Sequence, residues 1–107
     1  MNIPQLTPEE AIKIFNEKCA VFVDIRDPQS FQGGHIPGAL HVNDDNVHDF
    51  IESADKTKHH IIYCYHGNSS LGGAEYFLEN GFKKVHSLSG GFTKWCELFP
   101  NEVDTVD

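Results

Sequence analysis

Two stretches of this chain, Ala20-Val21-Phe22-Val23-Asp24-Ile25 and Ile61-Ile62-Tyr63-Cys64, are apolar almost without interruption. A strand with one wet face alternates apolar and polar residues. A continuous run needs cover on both faces, as in the interior of a parallel sheet. Parallel strands cannot be joined by a tight turn, so helices must run between them. The sequence supplies these. Thr7-Pro8-Glu9-Glu10 reads as a capping box with proline at the first helical position, ahead of an apolar face of Ala11, Ile12 and Phe15. A helical turn is expected around Phe31, after Pro28. Val47, Phe50, Ile51 and Ala54 follow helical spacing after Asp44-Asp45, as do Leu71, Ala74, Phe77 and Leu78 before an Asn80-Gly81 stop. Leu40-His41-Val42 and Val85 to Leu88 read as shorter strands. A last helix carries Phe92, Trp95 and Phe99 and ends at Pro100. The expectation is one α/β domain, with a parallel sheet covered by helices on both faces. Its ordered core spans about residues 6–100, and the acidic tail from Asn101 to Asp107 is expected to be loose.

The 107 residues suffice for one core, and the net charge of −8 comes without any Lys/Arg cluster. Nucleic acid and anionic membranes are therefore poor partners, because binding phosphate needs concentrated positive charge. No run approaches the roughly 18 apolar residues of a membrane span. Met1 to Gln5 lacks the basic start and apolar stretch of a secretory signal, so a cytoplasmic location is expected. Cys19, Cys64 and Cys96 are far apart, odd in number and form no C-x-x-C pair, which argues against a disulfide framework or a zinc ribbon. His59 and His60 alternate across a strand and His66 lies in a loop, so no tetrahedral metal site is expected, and no cofactor.

Cys64 differs from the other two cysteines in its setting. It ends a strand, and a short loop with one glycine leads into a helix near Ser69. That order aims backbone N–H groups and a helix dipole at one sulfur, favouring the nucleophilic thiolate. Cys19 and Cys96 lack such a loop and read as structural. Cys64-Tyr65-His66-Gly67-Asn68-Ser69-Ser70 fits the cysteine phosphatase pattern C-x-x-G-x-x-R except at its end, where Ser70 replaces the arginine. That arginine binds phosphoryl oxygens bidentately, so phosphate ester hydrolysis is poorly supported. Gly67 lets the loop curl. Asn68, Ser69 and Ser70 suit either helix capping or hydrogen bonding to sulfur, Tyr65 suits the mouth of the site, and His66 suits a solvated loop position.

Four segments together resemble the single-domain rhodanese family: Val23 to Phe31, Gly34 to Ala39, Cys64 to Ser70 and Gly90 to Trp95. The resemblance implies a five-stranded parallel sheet and a catalytic Cys64 in the loop of six residues from Cys64 to Ser69. Tyr65, His66, Gly67, Asn68 and Ser69 would bind substrate. It implies a thiosulfate sulfurtransferase working by a ping-pong reaction through a cysteine persulfide. Sulfite leaves, and cyanide or a dithiol such as thioredoxin accepts the sulfur. The alternative is a noncatalytic persulfide carrier loaded by another protein. Elsewhere, Asp24, Arg26 and Asp27 are expected to form an ion-pair and hydrogen-bond network, His35 to fix its loop, and Trp95 to belong to the core.

Overall fold

Chain-local signals build the outer layer first. In the computed structural model, which describes residues 2–106, Thr7 accepts from the Glu10 N–H and Glu10 accepts from the Thr7 N–H. This reciprocal box starts α1 (Pro8–Glu17). The remaining helices are α2 (Pro28–Gly33), α3 (Val47–Ser53), α4 (Ser69–Glu79) and α5 (Gly91–Leu98). The strands are β1 (Gln5–Leu6), β2 (Ala20–Asp24), β3 (Leu40–His41), β4 (His59–Tyr63) and β5 (Lys84–Leu88). They form one parallel sheet in the order β1-β5-β4-β2-β3.

The two apolar runs are neighbours near its centre, paired from Ala20↔His59 to Asp24↔Tyr63. Successive side chains take opposite faces. Phe22, Ile61, Tyr63 and Leu88 join Ala11, Phe92 and Trp95 in one core under α1 and α5. Val23, Ile62 and Val85 join Ala74, Phe77 and Phe82 in the other, under α3 and α4. Apolar cover on both faces is what the unbroken runs required.

Three local expectations change. Gln5–Leu6, for which no strand is expected, forms β1 ahead of the capping box, a two-residue strand whose edge position is set by β5. β4 starts two residues before the apolar run, at His59, whose Nε2 lies 2.8 Å from Nδ1 of His86 on β5. Burial pushes the His59 imidazole down to about 4 and lowers His86 as well, so both rings favour the neutral form. Of the tail expected to be loose, the described part up to Val106 is tied down, Asp107 lying outside the described residues: His35 and Asp104 exchange backbone hydrogen bonds, Val106 N–H donates to Gln32 O and Trp95 Nε1 donates to Glu102 O. Backbone pairing holds this segment despite its acidic side chains.

Candidate active site

In a parallel sheet the C-terminal ends of the strands open onto loops and helix N-termini, where ligands gather. Cys64 follows directly on β4 at that end, and α4 begins at Ser69. Cys64 is 7 % exposed, and its sulfur is met by donors from the loop and helix. The N–H groups of Gly67 and Ser70 donate to Sγ at 3.2 and 3.3 Å, and Ser70 Oγ lies at 3.4 Å. Burial raises the thiol's pKa. The Ser70 hydroxyl and the N–H groups of Ser70, Gly67 and His66 act against it, and the net result is a lowered pKa.

The loop is held in this shape from outside. Cys64 O accepts from the Phe92 N–H at 2.8 Å and Tyr65 O from the Thr93 N–H at 3.0 Å, both at the start of α5. With its first carbonyls turned toward α5, the loop presents N–H groups to the sulfur. Gly67 (φ 92°) needs its left-handed backbone for this turn, and a Cβ there would lie 2.9 Å from Gly90 N.

A cleft of about 260 Å³ opens at the sulfur, lined by Cys64, Tyr65, His66, Asn68 and Ser69 with Ile25, Arg26 and Asp27. Four of the five loop residues expected at substrate thus line it, while Gly67 acts through its N–H. Of the two roles open to Asn68, capping is not taken up: it holds the N-cap position of α4 without a side-chain capping bond. Tyr65 is half exposed, and its hydroxyl donates to Ser30 Oγ at 2.7 Å, which pins the ring beside the mouth.

Arg26 brings a guanidinium to a loop that has no cation of its own. It forks onto the buried Asp24 carboxylate at 2.7–3.1 Å, donates to Gly34 O, and stacks under the rings of Tyr65 and Phe92. Burial works against its charge, but the Asp24 hydrogen bonds and charge win, so Arg26 stays ionised. Asp27 does not join that pair, contrary to expectation. Its carboxylate caps α2 instead, accepting from Ser30 N and Ser30 Oγ. His35 fixes its loop as expected, with Nδ1 on Phe31 O at 2.8 Å and its ring stacked on Phe31.

Residues 7–98 match the Rhodanese-like domain family. The chain belongs to that family. Two curated relatives of this rhodanese domain, each named thiosulfate sulfurtransferase GlpE and from two strains of Pseudomonas putida, are 45 % identical to it over 98 residues, covering 92 % of this chain and 89 % of theirs. Among solved structures, a rhodanese-like domain protein from Staphylococcus aureus matches with a TM-score of 0.78 at 28 % identity, covering 87 % of this chain and 91 % of that one. A rhodanese-like domain from an Anabaena protein reaches a TM-score of 0.83 at 23 % identity, over 99 % of this chain and 81 % of that one, a likeness of fold.

Two polar residues of the rhodanese site were missing from the expected substrate set. The sequence suggests Ser70 only as a cap or a sulfur donor. Ser87, on β5, is not among the residues the sequence singles out, yet its Oγ is 2.7 Å from Ser70 Oγ. The available signal was a serine at a position whose face-mate, Val85, belongs to the core.

A lowered pKa keeps Cys64 anionic to lower pH than an ordinary thiol, near 8.5. Alkylation of Cys64 by iodoacetamide, followed by mass, is therefore expected to reach its plateau rate below the pH at which free cysteine does. A plateau reached only at or above that pH contradicts the donor arrangement.

Proposed function

We propose that this protein is a thiosulfate sulfurtransferase in which Cys64 carries the sulfur. One observation supports the reading most directly: a buried sulfur with N–H and hydroxyl groups turned onto it lies in the wall of a cleft. The family and the printed name of its curated relatives agree with that chemistry. In the first step the Cys64 thiolate attacks the outer sulfur of thiosulfate. An S–S bond forms to Cys64, the bond between the two thiosulfate sulfurs breaks, and sulfite leaves with its electron pair. The enzyme then bears an anionic persulfide, Cys64–S–S⁻. In the second step cyanide attacks the outer sulfur, thiocyanate departs and the thiolate returns. A dithiol protein of the thioredoxin kind can take the place of cyanide. Splitting one transfer into two displacements is what the covalent intermediate achieves.

The donors suit that intermediate. Its negative charge moves from Cys64 Sγ to the outer sulfur, within the cradle of amides at the start of α4. Tyr65, His66, Asn68 and Ser69 line the path along which donor and acceptor arrive. Phosphate ester hydrolysis is disfavoured because the arginine position holds Ser70, which is buried and faces sulfur and Ser87. Three unpaired cysteines suit the reducing cytoplasm. Steady-state assays with thiosulfate and cyanide are expected to produce thiocyanate and sulfite in equal amounts, with the parallel double-reciprocal plots of a ping-pong enzyme. Intersecting plots, or no thiocyanate, would contradict the proposal.

A further inference from the structure

Ser87 has an unusually fixed place for a residue with no direct contact to sulfur. It lies on β5, between β1 and β4, in register with Gln5 on one side and Ile62 on the other, and its N–H donates to Pro4 O at 2.9 Å. Its side chain shares a face with Val85, toward α4. The residue is fully buried, as is Ser70 in the first turn of α4. A buried hydroxyl in an apolar layer is costly without a partner. The partner of Ser87 Oγ is Ser70 Oγ at 2.7 Å, and Ser70 Oγ is in turn 3.4 Å from Cys64 Sγ.

We propose that Ser87 is a positioning residue that turns the Ser70 hydroxyl so that its proton points at the Cys64 sulfur when that sulfur is anionic. The inference rests on Cys64 being the nucleophile. A helical serine hydroxyl has a competing local acceptor, the carbonyl four residues earlier. When Ser87 donates into Ser70 Oγ, it fills a lone pair of that oxygen and polarises the remaining O–H toward sulfur. In the thiol form the direction reverses: the S–H donates to Ser70 Oγ and the Ser70 proton turns to Ser87. Both charge states are thus served by rotating two hydroxyls, and the thiol proton leaves to solvent through the cleft. The titratable and charged groups facing that cleft are Arg26 and Asp27 after β2 and Tyr65 and His66 in the loop. Neither serine lines it, so their influence reaches substrate only through sulfur.

The test measures the pH dependence of Cys64 alkylation by iodoacetamide, resolved by mass, in the full chain. Wild type, Ser87→Ala, Ser70→Ala and the double variant are compared. Ser87→Ala is expected to lower the rate at pH values below the plateau by about three- to tenfold, with the plateau itself unchanged. On the Ser70→Ala background, Ser87→Ala is expected to add nothing. An unshifted profile in Ser87→Ala overturns the proposal. So does an equal further shift on the Ser70→Ala background, which would mean that Ser87 acts by general packing. Should the single variant fail to fold, Ser70→Ala and the double variant decide alone: matching profiles support the inference and differing ones refute it. Alkylation reports thiolate and not sulfur transfer. A wrong assignment of the nucleophile would instead appear as transfer that survives Cys64→Ser.

Discussion

Cys64→Ser is expected to reduce thiocyanate formation from thiosulfate and cyanide by more than about a thousandfold, with the fold intact. The size follows from the chemistry. A serine hydroxyl stays protonated throughout the pH range in which the Cys64 thiol, held below its usual value by its Ser70, Gly67 and His66 donors, ionises. Oxygen also forms no S–S bond, so no persulfide can be stored between the half-reactions. Serine is nearly isosteric with cysteine and retains partners for the same N–H groups, which is why circular dichroism and thermal melting should change little. Activity within tenfold of wild type would remove Cys64 from the reaction.

Gly91→Ala is expected to have the second-largest effect, on both stability and transfer. Gly91 adopts φ 61°, and a Cβ there would run into Tyr65 O and stand 2.6 Å from Cys64 O. These are backbone atoms, so relief requires the loop and α5 to move apart. Left-handed strain and overpacking together give a loss of about 2–5 kcal/mol, measured by denaturant unfolding. The same movement breaks the bonds from Phe92 and Thr93 that turn the loop carbonyls outward, so the Gly67 and Ser70 amides lose their aim at sulfur. Transfer should therefore fall even at temperatures where the variant remains folded. Gly72→Ala is the control. It lies inside α4, nothing stands within 4 Å of its would-be Cβ, and alanine there should stabilise slightly. Gly91→Ala with wild-type stability and activity would show that the loop does not depend on this contact.

What could be read from the chain was what is local in it. The unbroken runs at Ala20–Ile25 and Ile61–Cys64 carried the parallel sheet. The order strand, cysteine, glycine loop and helix pointed to Cys64 as the proposed nucleophile, because the donors from Gly67 and Ser70 lie within six residues of it. Contacts between distant segments stayed hidden. Arg26 enters the cleft only because β2 and β4 are neighbours, and Ser87 meets Ser70 only through the register of β5 on β4. β1 is two residues long, too short for any periodicity, and the tail is docked by backbone bonds that side-chain composition does not encode. Asp27 departs from its expected place for a related reason. Beside Arg26 in sequence it suggests an ion pair, but the nearer claim on its carboxylate is the open N-terminus of α2.

Arg26 also qualifies how the site handles anions. Its charge is balanced by Asp24 at 2.7 Å, and the protein as a whole is strongly acidic. Attraction of a dianion therefore falls to the amide cradle and the start of α4 more than to any free cation.

The most direct test is the intact mass of the protein after incubation with thiosulfate and removal of excess reagent. The account predicts a gain of one sulfur atom, located to Cys64 by fragment masses and lost on addition of cyanide. No gain, or a gain carried by Cys19 or Cys96, would contradict it.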